Sequence, residues 1–100
     1  MPAYVTAQLV IHDPVGYARY VERFAETLAP FDAELLAADD APEVVEGSWP
    51  HDKFVLIRFG DRDEARRWAD SPAYREIAAD RQVATTTTSV LVRGIGGSPR

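Results

Sequence analysis

Cysteine is missing from this 100-residue chain, and its absence removes disulfides, thiolate nucleophiles and the cysteine-based zinc sites together. Histidine is nearly as scarce, with only His12 and His51, and neither HxH nor HxxxH spacing occurs, so a metal site is poorly served. No apolar run approaches the roughly 20 residues that cross a bilayer. Met1-Pro2-Ala3-Tyr4 also lacks the charged start and apolar stretch of a signal peptide. A membrane partner is not expected, and the cytoplasm is the expected location. Basic residues are outnumbered, 11 Lys and Arg against 16 Asp and Glu, for a net charge of -5. That balance argues against nucleic acid, whose affinity comes mainly from clustered cations. The G-x-S-x-G elbow, the P-loop and the dinucleotide fingerprint are all missing, so no cofactor is expected.

What remains suits one globular domain. A 46% hydrophobic fraction with 10% aromatics can build a core, and a chain of this length cannot divide its burial between two cores. Residues 1–95 are expected to form the domain and 96–100 a flexible tail. Residues 3–11 (AYVTAQLVI) read as a strand with Val5, Ala7, Leu9 and Ile11 on one face. The other face, with Tyr4 and Val10, is only half polar, as expected where helices cover one side of a sheet and a partner subunit the other. Asp13-Pro14 starts a helix by capping and by proline at the first position, and Tyr17, Tyr20, Val21, Phe24 and Leu28 then recur at helical spacing. Residues 33–38 and 43–47 read as one bent strand, or a strand with a wide bulge, interrupted at Asp39–Pro42. Residues 53–59 (KFVLIRF) form a nearly unbroken apolar strand. Asp61 and Ser71 cap helices carrying Ala65 and Trp68, then Tyr74, Ile77, Ala78 and Arg81, and residues 85–93 (TTTTSVLVR) close as a β-branched strand. This order, βαββαβ, is the split arrangement of an α+β ferredoxin-like sandwich with an antiparallel sheet. Its first and third strands are central neighbours, which brings His12 and His51 to the same edge.

Several segments together resemble one family: Pro2-Ala3-Tyr4, Asp13-Pro14 with Tyr17 and Tyr20, and Glu43 through Pro50 (EVVEGSWP). Ser71-Pro72-Ala73-Tyr74 with Arg81, and Val90 through Gly94 (VLVRG), complete the set. In order and spacing they resemble the domain of unknown function 1330 family, over roughly residues 2 to 94. The resemblance implies a branch of the dimeric α/β-barrel superfamily, in which two four-stranded sheets close across a homodimer and each subunit keeps a pocket between helices and sheet. That superfamily includes cofactor-free oxygenases, isomerases, haem-degrading enzymes and pure ligand binders, so membership chooses no reaction. Many relatives carry a Gly-Gly pair before the second strand and a basic residue ending it. Here the chain reads Phe31-Asp32-Ala33 and Ala37-Ala38-Asp39, so an anion-holding charge is missing from that position.

Six residues are candidates for chemistry. Arg81, on an otherwise apolar helical face, can clamp a carboxylate or enolate, or else pair structurally with Glu46 or Asp13. His12 and His51 suit proton transfer near neutral pH, and each precedes an aspartate that can orient an imidazole; as turn residues they can equally be idle in solvent. Haem or metal, if bound, would have to use one of them. Tyr17, Tyr74 and Trp49 are expected near a pocket edge, Tyr17 as a phenol able to move a proton and the other two as substrate contacts, with core packing the alternative. Asp39, Asp40, Glu43 and Glu46 read as a solvated acidic stretch without the EF-hand pattern. The expected function is small-molecule binding. It takes the form either of a cofactor-free enzyme (isomerase, cyclase or monooxygenase-like) acting on an anionic or enolisable substrate, or of a non-catalytic accessory module.

Overall fold

Local chemistry starts each helix where the sequence implies it. The Asp13 carboxylate accepts the Gly16 N–H at 3.2 Å, with Pro14 in the first turn, and Asp61 and Ser71 accept from Glu64 and Tyr74 in the same way. The computed structural model describes residues 1–95, and the tail expected at 96–100 lies outside the described residues. Its elements are β1 (Ala3–Ile11), α1 (Pro14–Leu28), β2 (Ala33–Asp39), β3 (Lys53–Phe59), α2 (Arg62–Ala69), α3 (Pro72–Ala84) and β4 (Thr85–Arg93).

The four strands form one antiparallel sheet in the order β2-β3-β1-β4, the ferredoxin-like arrangement, with β1 between β3 and β4. Register decides what faces the helices. Ala3 opposes Phe59, Val5 opposes Ile57, Ala7 opposes Val55 and Leu9 opposes Lys53, so these residues share one face. Leu9 and Ile77 are almost wholly buried in one half of the core, beneath Tyr17 and Tyr20. Phe59, Ile57, Ala65 and Trp68 fill the other half, where burying a ring such as Phe59 stabilises the fold by about 1.5–3 kcal/mol. Buried Thr27 is satisfied on both sides: its hydroxyl donates to the Phe24 carbonyl at 2.7 Å and accepts the Trp68 indole N–H at 3.1 Å. The opposite face carries Tyr4, Phe54, Leu56, Val90 and Val92, all at least partly exposed. The molecule is only 16 Å deep in its thinnest direction, the depth of a sheet with one helical layer.

One expected element is corrected. Residues 43–47 are not part of a bent second strand. β2 ends at Asp39, whose partner Phe54 stands one residue inside the start of β3. Pairing of residues 43–47 in the same ladder would require partners ahead of Lys53, and those residues belong to the connection itself. Val45 is 96% exposed, and Gly47 turns the chain at φ +89°, a conformation that favours glycine.

Candidate functional site

Between the helical layer and the sheet lies a cavity of about 430 Å³ with mostly apolar walls. Its roof comes from α1, where Tyr17, Tyr20 and Phe24 stand three and four residues apart and turn their rings inward. Tyr17 and Tyr20 stack with ring centres 5.7 Å apart, and Phe24 follows at 5.5 Å. Leu9, Val55 and Ile57 form the floor. Trp68 of α2 and Tyr74 of α3 close the inner end with ring centres 4.0 Å apart. The Tyr74 and Tyr20 hydroxyls share a hydrogen bond of 2.9 Å.

Two cations reach this aromatic row. Arg81 lies seven residues after Tyr74, about two turns along the same face of α3, and its guanidinium carbon sits 5.9 Å from the Tyr20 ring centre. Lys53 stands on the helix side because its register partner is Leu9, and its ammonium lies 5.1 Å from the Tyr17 ring centre. Among the described residues Arg81 forms no ion pair, so neither Glu46 nor Asp13 is its partner here; Asp13 instead caps α1. Burial raises the Tyr17 phenol above its ordinary value, although Lys53 and Arg81 pull against it. Burial also raises Tyr20 far above its ordinary value, helped by Tyr74. Both phenols are therefore neutral donors at neutral pH rather than bases. Apolar walls with cations and phenolic O–H groups at one end can hold a flat apolar molecule by its body and an oxyanion by its tip.

Arg81, Tyr74 and Tyr17 thus meet in one place, whereas His12, His51 and Trp49 do not line this cavity. The His12 imidazole shares a hydrogen bond of 2.7 Å with Thr86, which opposes Val10 on the helix-free face. His51 packs edge-on against Trp49 at 4.7 Å, and Trp49 in turn against Phe54 of that same face. The topology does bring the two segments together: the Asp52 carboxylate accepts the Ile11 N–H at 2.8 Å, and the Asp52 N–H donates to Leu9. That bond, like the Asp13 cap, commits to the backbone an acid that would otherwise orient an imidazole. Lys53 is the site residue that sequence reasoning passed over. The signal was its solitude, since it is the only lysine beside ten arginines. Among the described residues no three metal-ligating side chains cluster.

The chain matches the family described as Domain of unknown function (DUF1330) over residues 2–95. It belongs to that family. No curated protein matches it. Among solved structures, the same fold recurs in a protein of unknown function from Rhodopseudomonas palustris, with a TM-score of 0.77 at 13% identity, covering 94% of this chain and 82% of that one. A dimeric ferredoxin-like protein of unknown function from Jannaschia sp. CCS1 gives 0.75 at 15% identity, covering 94% and 100%. SnoaB, a cofactor-independent oxygenase from Streptomyces nogalater, gives 0.67 at 17% identity, covering 99% and 98%. At such identities these likenesses establish the shared fold alone.

Proposed function

We propose that this DUF1330 protein binds small apolar molecules bearing an anionic or enolisable group in the cavity between its helices and sheet. One observation carries the reading: the Arg81 guanidinium stands at a cavity with mostly apolar walls and has no carboxylate paired to it among the described residues. A guanidinium in such surroundings has a bidentate fork free for a ligand oxyanion. Tyr74 supplies an aromatic contact and Tyr17 a phenolic donor. His12, His51 and Trp49 have no role at this cavity. A homodimer is part of the proposal, supported by the apolar side chains Tyr4, Phe54, Leu56, Val90 and Val92 on the helix-free face and by the likeness to the dimeric ferredoxin-like protein from Jannaschia; sedimentation that reports a monomer at micromolar concentration would remove it.

The test is a ligand screen by backbone NMR with aromatic and alicyclic acids. Hits are expected to perturb α1 and α3 and to be lost in Arg81→Met, whose cooperative melt checks that the variant folds. Failure of every acid to perturb those helices would overturn the reading. A second reading, that bound substrate is turned over without a cofactor, is favoured by the likeness to SnoaB. Isomerisation, cyclisation or oxygenation would each suit a site holding an enolate. Substrate loss catalysed by the wild type and not by Arg81→Met would establish it, and binding without turnover would leave the accessory module.

A further inference from the structure

The cavity reading leaves the chain's only lysine unexplained. Lys53 opens β3 with its side chain 12% exposed, and its ammonium lies over the Tyr17 ring at the cavity. An ammonium so poorly hydrated needs an anion. The anion it has is Asp40, just beyond the end of β2, at 3.5 Å. Two features make that contact provisional. A distance of 3.5 Å is well beyond the ~2.7–2.9 Å of a strong charge-assisted hydrogen bond. Asp40 is also 81% exposed, on a bend with no cavity contact of its own, so water takes it back at little cost. The geometry is that of a cation held ready and a carboxylate parked on it from outside.

We propose that Lys53 is an anion subsite of the cavity and that Asp40 occupies it in the ligand-free protein as an internal competitor, released when a ligand carboxylate or enolate arrives. This rests on the reading that the cavity binds small molecules. Asp39 opposes Phe54, so the β2 terminus and Lys53 are adjacent across the β2–β3 ladder. The arrangement also selects ligand charge. Lys53 and Arg81 stand by the row formed by Tyr17 and Tyr20, while the Asp40 carboxylate lies exposed on the solvent side of Lys53. A ligand with one anionic group on an apolar body gains from the former, and a second anionic group would meet the latter. The occupant is an apolar monoanion.

The experiment uses 2-naphthoate and its neutral isostere 2-naphthamide, titrated by NMR into the full chain and into four variants. In Asp40→Asn, naphthoate is expected to bind about threefold tighter, the scale of an exposed ion pair no longer competing. Glu43→Gln removes the same charge three residues along the chain, from a carboxylate that forms no ion pair with Lys53 among the described residues, and is expected to change nothing. Lys53→Met is expected to weaken naphthoate about tenfold, towards the affinity of the amide, while Lys53→Arg keeps the preference for the anion. The amide is expected to bind all five proteins alike, which also shows that each cavity is folded. Equal gains in Asp40→Asn and Glu43→Gln would overturn the competitor, and naphthoate binding indifferent to Lys53→Met would overturn the subsite, both leaving the cavity reading intact. Failure of both compounds to perturb the cavity would overturn that reading and this inference with it.

Discussion

The cavity and the histidine edge hold the same kinds of residue, aromatic rings beside groups able to carry charge, yet they are built in opposite ways. At the cavity the backbone needs nothing from the charged side chains: Arg81 has no ion-pair partner among the described residues, and Lys53 has only an exposed carboxylate 3.5 Å away. At the edge the acids are spent on structure, Asp13 capping α1 and Asp52 closing the turn onto Ile11. Charge left unspent by the fold is available for a ligand, and charge used to terminate elements is not. The two tryptophans follow the same division. Trp68 is buried with its N–H donated to Thr27, while Trp49 has its N–H buried without a hydrogen-bond partner among the described residues.

The largest effect expected from breaking this comparison is at Trp68. Its ring packs against Phe24, Phe59 and Tyr74, so Trp68→Ala removes the inner wall and is expected to cost about 3–5 kcal/mol in urea unfolding. A loss below about 1 kcal/mol would mean that the cavity wall carries little of the core. Next comes ligand affinity. Arg81→Met is expected to weaken acid binding at least about tenfold, the scale of a charged hydrogen bond. His12→Ala and His51→Ala are expected to leave it within about twofold. A histidine variant that abolished binding while melting normally would move the site to the other edge.

Much of this division was legible in the sequence and some was not, for identifiable reasons. Capping residues act over three or four positions, so Asp13-Pro14, Asp61 and Ser71 located their helices, and helical spacing placed Tyr17, Tyr74 and Arg81 on inward faces. The strand alternation in residues 3–11 likewise identified the face that carries Leu9. Lys53 escaped because it opens an unbroken apolar run, where alternation marks no inner side; only its pairing with Leu9 fixes its direction, and register is a property of two strands. The EVVEG segment misled for the converse reason. Its valines have strand propensity, but β3 begins too late to pair with them. Strand order is enough to put His12 and His51 at one edge, but the bond of His12 to Thr86 and the packing of His51 on Trp49 are tertiary contacts that composition does not reveal.

A smaller effect separates the regions by pH. The Tyr20 phenol is held far above its ordinary value of 10.0, by burial first and by its neighbour Tyr74 next. The unfolded chain ionises this group near pH 10, but the folded chain does not. Stability from the neutral phenol is thus fully present below pH 10 and declines as pH rises above it, by about 1.4 kcal/mol per pH unit while Tyr20 stays protonated. Thermal melts between pH 8 and 11 should fall less steeply in Tyr20→Phe than in the wild type. The remaining slope would include Tyr17, raised in the same direction. Identical slopes would mean that the Tyr20 hydroxyl reaches water.

The smallest effect is the most discriminating, because it concerns a defect. Trp49 buries its N–H and His51 its Nδ1, neither with a hydrogen-bond partner among the described residues, and their rings are 4.7 Å apart. An unmet donor costs about 1–3 kcal/mol, whereas removing it while keeping an aromatic ring loses only packing area. Trp49→Phe should therefore be neutral, or stabilise by up to about 1 kcal/mol, if the single chain is the folded unit at this edge. The Trp49 ring adjoins Phe54 on the helix-free face, where a second subunit would dock, and an acceptor from such a subunit would reverse the sign. Unfolding of Trp49→Phe and wild type at two protein concentrations separates the cases. A neutral result at both places the defect within one chain, and a destabilisation that varies with concentration places the missing acceptor across a subunit boundary.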